Sequence, residues 1–165
     1  MTFIFVAAFG ATVACGSSDT GAGSSEISSD QAQAKATAVV PGTATATEKL
    51  DTTDEHRWVV AVKHASGAVI EVEIERASGA VVEIASEGPG FDYELPAFAP
   101  KFLTYTQAKA KALEAKPGAV EKWEAKLADA EWEFYVRDAD TKLWELKMTA
   151  ETGAVTTVVQ KDKPD

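Results

Sequence analysis

Between residues 68 and 84, in AVIEVEIERASGAVVEI, apolar and acidic residues alternate. Ile70, Val72 and Ile74 fall on one side of an extended chain and Glu71, Glu73 and Glu75 on the other, because successive side chains of a strand point to opposite faces. ASG then turns the chain into a further strand, Ala80 to Ile84. The pattern returns with Trp144, Leu146 and Met148 set against Glu145 and Lys147, followed by ETG at 151–153. Upstream of each lies another alternation, Trp58, Val60 and Val62 in one case and Trp132, Phe134 and Val136 in the other. HASG (64–67) and DADT (138–141) supply the turns of antiparallel hairpins.

Two other stretches have helical character. QAQAKATAVVPG (31–42) and QAKAKALEAKPG (107–118) are rich in Ala, Gln and Lys, and both stop at Pro-Gly. Proline disfavours helix at the residue before it and lacks an N–H, so each run ends there. Ser29 or Asp30 is the expected cap of the first helix and Thr104 or Thr106 that of the second. Helices of about three turns are marginal alone and must pack on something. One segment reads two ways: AVEKWEAKLADAE (119–131) is helical by propensity, whereas TATATEKLDTTDE (43–55) is Thr-rich and strand-like. Repeats share a fold, so both are expected to be strands.

The repetition is systematic. Gln31 and Gln107, Lys35 and Lys111, and Pro41 and Pro117 stand 76 positions apart; Trp58 and Trp132, Val62 and Val136, and Gly79 and Gly153 stand 74 apart. A two-residue deletion between Pro117 and Trp132 accounts for the change. Two copies at this period are too few and too long for a solenoid. Two similar small domains, or two halves of one sheet, remain. The expected fold class is α+β: two repeated units, each one helix packed on a three- to four-stranded antiparallel sheet, with the charges on the face away from the helix.

The 165 residues carry a formal net charge of −10. That argues against nucleic acid as a charge-driven partner, which needs basic patches. The single cysteine, Cys15, excludes an internal disulfide. It closes an uncharged run at residues 3–14 that is too short to span a bilayer. TVAC, Thr12 to Cys15, resembles the lipobox of bacterial lipoprotein signals, with Thr12 where that family usually has Leu. No Lys or Arg precedes the run, which leaves room for a start upstream of Met1. The resemblance implies a lipid on Cys15; two acyl chains hold a protein on a membrane where one does not. Residues 1–15 are thus expected to be a lipoprotein-type signal segment and residues 16–27, rich in Gly and Ser, a flexible tether.

The order helix, Pro-Gly, strand pair, and an ending of the form EVEIERASGAVVEI (71–84) or ELKMTAETGAVTTVV (145–159) resembles the PepSY domain. The Asp that often precedes the turn in that family is Glu75 in one copy and Thr149 in the other. The resemblance covers 28–86 and 104–160, leaving 87–103 as a linker and 161–165 as a tail. It implies a secreted or envelope-facing, cystatin-like module whose proposed role is to inhibit or modulate peptidases.

Residue chemistry adds little to this. His56 and His64 match no usual zinc spacing. On one strand they would share a face and could join Glu71 or Glu73, but exposed strand-end histidines are the plainer reading. The acidic row Glu71, Glu73, Glu75 lacks the loop that calcium sites favour. No nucleophile motif, P-loop or dinucleotide fingerprint is present, so neither catalysis, a cofactor nor a metal site is expected. The four tryptophans occupy apolar positions suited to a core. The linker, opening EGPGFDYELPAFAPKF, carries Phe91, Tyr93, Phe98 and Phe102 among prolines. These aromatics either pack between the copies or bind a partner. The functional expectation is a non-catalytic envelope-anchored module that binds a peptidase or another envelope protein. The alternative is a lipoprotein that binds a small ligand or divalent metal on its acidic face.

Overall fold

A computed structural model describes residues 26–88 and 93–164. The Gln that opens each repeated phrase is a capping residue. Helix α1, Ser29–Val39, is capped by Ser28, whose hydroxyl accepts the Gln31 N–H at 3.3 Å while the Gln31 side chain accepts the Ser28 N–H at 2.8 Å. Helix α2, Tyr105–Ala115, repeats this capping box with Thr104 and Gln107, at 3.3 and 3.0 Å. The first cap is therefore one residue before the expected Ser29: Ser28 is the serine with a Gln three positions on. Ala32 and Ala36, and likewise Ala108 and Ala112, are fully buried. Small side chains on that stripe let each helix lie close on the sheet.

Eight strands follow: β1 Thr43–Asp51, β2 His56–Lys63, β3 Val69–Glu75, β4 Val81–Glu87, β5 Ala119–Lys126, β6 Glu131–Arg137, β7 Leu143–Thr149 and β8 Val155–Lys161. The segment with helical propensity is β5. Tertiary pairing overrides propensity there, because Val120, Trp123 and Ala125 reach a buried face in extended chain. All eight pair antiparallel in chain order to form one sheet. The units thus do not form separate sheets: β4 pairs with β5 from Glu83↔Lys126 to Glu87↔Lys122. Glu87 and Lys122 form an ion pair of 3.5 Å at one end of this seam, and burial of Ile84 and Ala125 on one face sets its register.

Register shifts recur at equivalent places, Ala44/Ala46 and Val120/Lys122, then Glu73/Ile74 and Lys147/Met148. The glycines of the two Pro-Gly pairs also coincide. A Cβ on Gly42 would stand 2.5 Å from the Lys63 carbonyl oxygen, and one on Gly118 would stand 2.3 Å from that of Arg137. Pro-Gly thus ends the helix and lets the first strand start hard against the end of the second.

Following cross-strand partners from Thr47 through Val60, Val72, Ile84, Ala125 and Trp132 to Met148 traces one face of the sheet. Both helices pack on it. Its first half is aliphatic, built from Val60, Val62, Ile70, Val72, Ile74 and Ile84. Its second half is aromatic, with Tyr105, Trp123, Trp132 and Phe134.

Candidate functional site

Four places were open to function: the linker aromatics, the charged sheet face, the histidines and the sheet edges. In the linker, Tyr93, Leu95 and Phe98 belong to the buried core. The Tyr93 ring stacks on Tyr105 at 5.1 Å and meets His64 at 5.4 Å. Its hydroxyl accepts the Trp123 indole N–H at 2.9 Å. Burial pushes the Tyr93 phenol up, and side-chain hydrogen bonds with Ser86 and Trp123 oppose this. Phe98 lies 6.1 Å from Trp123, nearly parallel, and 5.5 Å from Trp132. Phe102 is half-buried against the same cluster. Of the two readings of the linker aromatics, Tyr93 and Phe98 follow the packing one: 7 and 9% exposed, their rings close the helix-side core where the copies meet. Phe91 lies outside the described residues, as do Cys15, the signal-like run and nearly all of the tether.

The opposite face of the sheet carries the charges, but in the second half it is not simply solvated. The Glu133 carboxylate is 1% exposed and sits between Lys126 Nζ at 2.7 Å, Lys147 Nζ at 3.1 Å and the Tyr135 hydroxyl at 2.5 Å. Glu124 receives Lys122 at 2.8 Å and Lys126 at 3.0 Å. Glu145 receives Lys147 at 3.3 Å and Lys161 at 2.8 Å. Burial pushes the Glu133 carboxyl up, but the hydrogen bonds from Lys126, Tyr135 and Lys147 outweigh it and leave the group below its ordinary value. Such a lattice rigidifies a face when every member is satisfied. Its signal in the sequence is opposite charge at a spacing of two, in KWEAK and WELK.

At the seam between the copies this face holds a cavity of about 420 Å³ lined by Val69, Glu71, Glu73, Glu83, Ala85, Ser86, Glu87, Lys122 and Glu124. Glu83 stands across from Glu73 on β3 and from Lys126 on β5. Burial, with Glu124 and Glu73 nearby, raises its carboxyl to about 7. The volume suits a small molecule, but the lining is mostly charged where ligand pockets are mostly apolar.

The histidines do not meet these acids. His56 bonds Asp51 at 3.0 Å, and His64 Nδ1 accepts the backbone N–H of Ser66 at 3.1 Å, capping its turn. Register puts Trp58, Val60 and Val62 on the helix face and Glu71 and Glu73 on the other. His56 and His64, an even number of residues from Trp58 and Val62, fall on the helix side with them, across the sheet from both acids. Among the described residues, no three His, Cys, Asp or Glu side chains are grouped so as to hold a metal ion. No helix there is long and apolar enough to cross a membrane.

The edges remain. Among the described residues, β1 and β8 each pair on one side only. Val155, Val158 and Val159 on β8 are 38, 46 and 47% exposed, three of the four exposed large apolar side chains among the described residues. An open edge bearing apolar side chains is a template for another strand.

None of the curated proteins matches the chain. Among solved structures, one described as that of "a putative lipoprotein" from Clostridium difficile 630 is similar, with 17% identity, 70% of this chain and 80% of the other covered, and a TM-score of 0.36. The family model for PepSY, the peptidase propeptide and YPEB domain, matches twice, at residues 26–85 and 103–159. Those two segments take in α1 with β1 to β4 and α2 with β5 to β8, save the ends of β4 and β8. With both repeats matched over most of its length, the chain belongs to the PepSY family.

Proposed function

We propose that this protein is a non-catalytic binding module held at the cell envelope, where it inhibits or modulates a secreted or periplasmic peptidase. The observation that carries this reading is that both repeats match a family described as a peptidase propeptide. Propeptide-like modules act by occupying a surface, so they need no assembled catalytic group. The contact surface is strand-like: open sheet edges offer backbone donors and acceptors, with side-chain pockets on alternate positions. The lipobox-like TVAC ending at Cys15 supports a lipid anchor, with the folded part facing the periplasm or the exterior.

The test is to titrate the purified full-length chain against the secreted peptidases of its own organism, reading both turnover and co-purification. Saturable slowing or stable capture of one peptidase is expected. If none is slowed and none is retained, the reading fails. For the anchor, intact-mass analysis of the native protein is expected to show a chain beginning at Cys15 with added lipid. An unmodified Met1 start contradicts it.

A further inference from the structure

We infer that β8 of one copy pairs with β1 of the next, head to tail, in the same way that β4 pairs with β5 within the chain. The duplication supplies the geometry. β8 is the counterpart of β4, 74 positions on, and β1 is the counterpart of β5, 76 positions back, with register shifts at equivalent places. One junction of this kind already exists in the seam. The two surfaces that form it recur, unpaired among the described residues, at opposite ends of the sheet.

Transposing the seam register gives the pairing residue by residue. Ile84↔Ala125 becomes Val158 opposite Lys49, and Ala85↔Glu124 becomes Val159 opposite Glu48. No like charges face each other in this register, so nothing forbids it electrostatically. Val158 and Val159, about half exposed in the single chain, would gain neighbours on both sides. The transposed junction lacks the Glu87–Lys122 ion pair and the aromatic linker that reinforce the internal seam, so it is the weaker of the two. It is also heterologous: a β8 and a β1 stay open after each addition, so the assembly lengthens past a dimer unless its rotation closes a ring.

Sedimentation velocity on the purified full-length chain tests this, with the protein kept reduced so that Cys15 cannot cross-link copies. Mass is expected to rise with concentration past that of a dimer. Val159→Glu places a carboxylate opposite Glu48 and is expected to weaken association about fivefold or more. Adding Glu48→Lys in the same chain is expected to restore it, with circular-dichroism melting alike in the two variants, since both set the new carboxylate opposite Glu145 of β7 within the chain. A chain that stays monomeric up to millimolar concentration overturns the inference. So does association that Val159→Glu leaves intact, or a loss that Glu48→Lys fails to rescue, as pairing of β8 with β8 would give.

Discussion

Trp123 donates its indole N–H to the Tyr93 hydroxyl at 2.9 Å, and both residues are buried. The bond ties the linker to the first strand of the second repeat. Trp123 stands directly across the seam from Ser86, in the last strand of the first repeat. The linker, which runs between the copies in sequence, therefore also holds them together in space.

Tyr93→Phe removes the acceptor and leaves a buried indole N–H without that partner, at a cost of about 1–2 kcal/mol. Phe98→Ala leaves a cavity beside Trp123 and Trp132 and is expected to cost about 3 kcal/mol. Urea unfolding checks both: the midpoint falls while the slope stays that of the wild type.

Gly118→Ala puts a methyl 2.3 Å from the Arg137 carbonyl oxygen, a backbone atom that cannot rotate away. The expected loss is about 1–3 kcal/mol, with a lower thermal midpoint. At Gly67 a Cβ would meet nothing within 4 Å, although φ is +92°, so Gly67→Ala carries backbone strain without a clash and is expected to cost less.

Glu133→Gln keeps the shape but removes the charge that Lys126 and Lys147 share. Removing one partner of a buried ion pair costs about 3–5 kcal/mol, so a loss near the lower end is expected at neutral pH. The folded-state value of Glu133 is depressed. Its contribution is therefore present above the ordinary carboxylate range and is lost as pH falls through the folded value. The gap between wild type and variant should shrink below about pH 4.5.

Glu83 has the opposite sign. Its folded-state carboxyl is raised from 4.5 to about 7. The folded protein then binds a proton that the unfolded chain has released, and stability falls as pH rises between those values. Glu83→Gln is expected to stabilise the protein by on the order of 1 kcal/mol at pH 8 and to have no effect at pH 4. Thermal melts across that range read the difference.

Much of this was legible because the chain states it twice. The 76 and 74 offsets, the alternation around Val72 and Leu146, and the strand nature of 119–126 all followed from comparing the copies. The merging of the sheets did not, since alternation along β4 says which face is buried and not which strand lies beside it. A signal was present: Glu83 and Glu87 on one strand and Lys122 and Lys126 on the other, each four apart, match when the strands run antiparallel. Burial of Tyr93 and Phe98 was one of two readings left open, because a Pro-rich aromatic segment has the same composition whether it binds a partner or its own core. The ion-pair lattice around Glu133 escaped for a related reason. Alternating charge reads as a solvated face until the neighbouring strands bring Lys126 and Lys147 in from both sides.

The joining of the repeats into one sheet is tested most directly by native-state hydrogen exchange on the full-length chain. Amides of β4 and β5 that face each other across the seam should be protected as strongly as those between β2 and β3 or β6 and β7. At concentrations low enough to keep the chain monomeric, outward-facing amides of β1 and β8 should exchange faster. Rapid exchange along β4 and β5, at the rate of the free edges, would mean two separate sheets and would contradict the account.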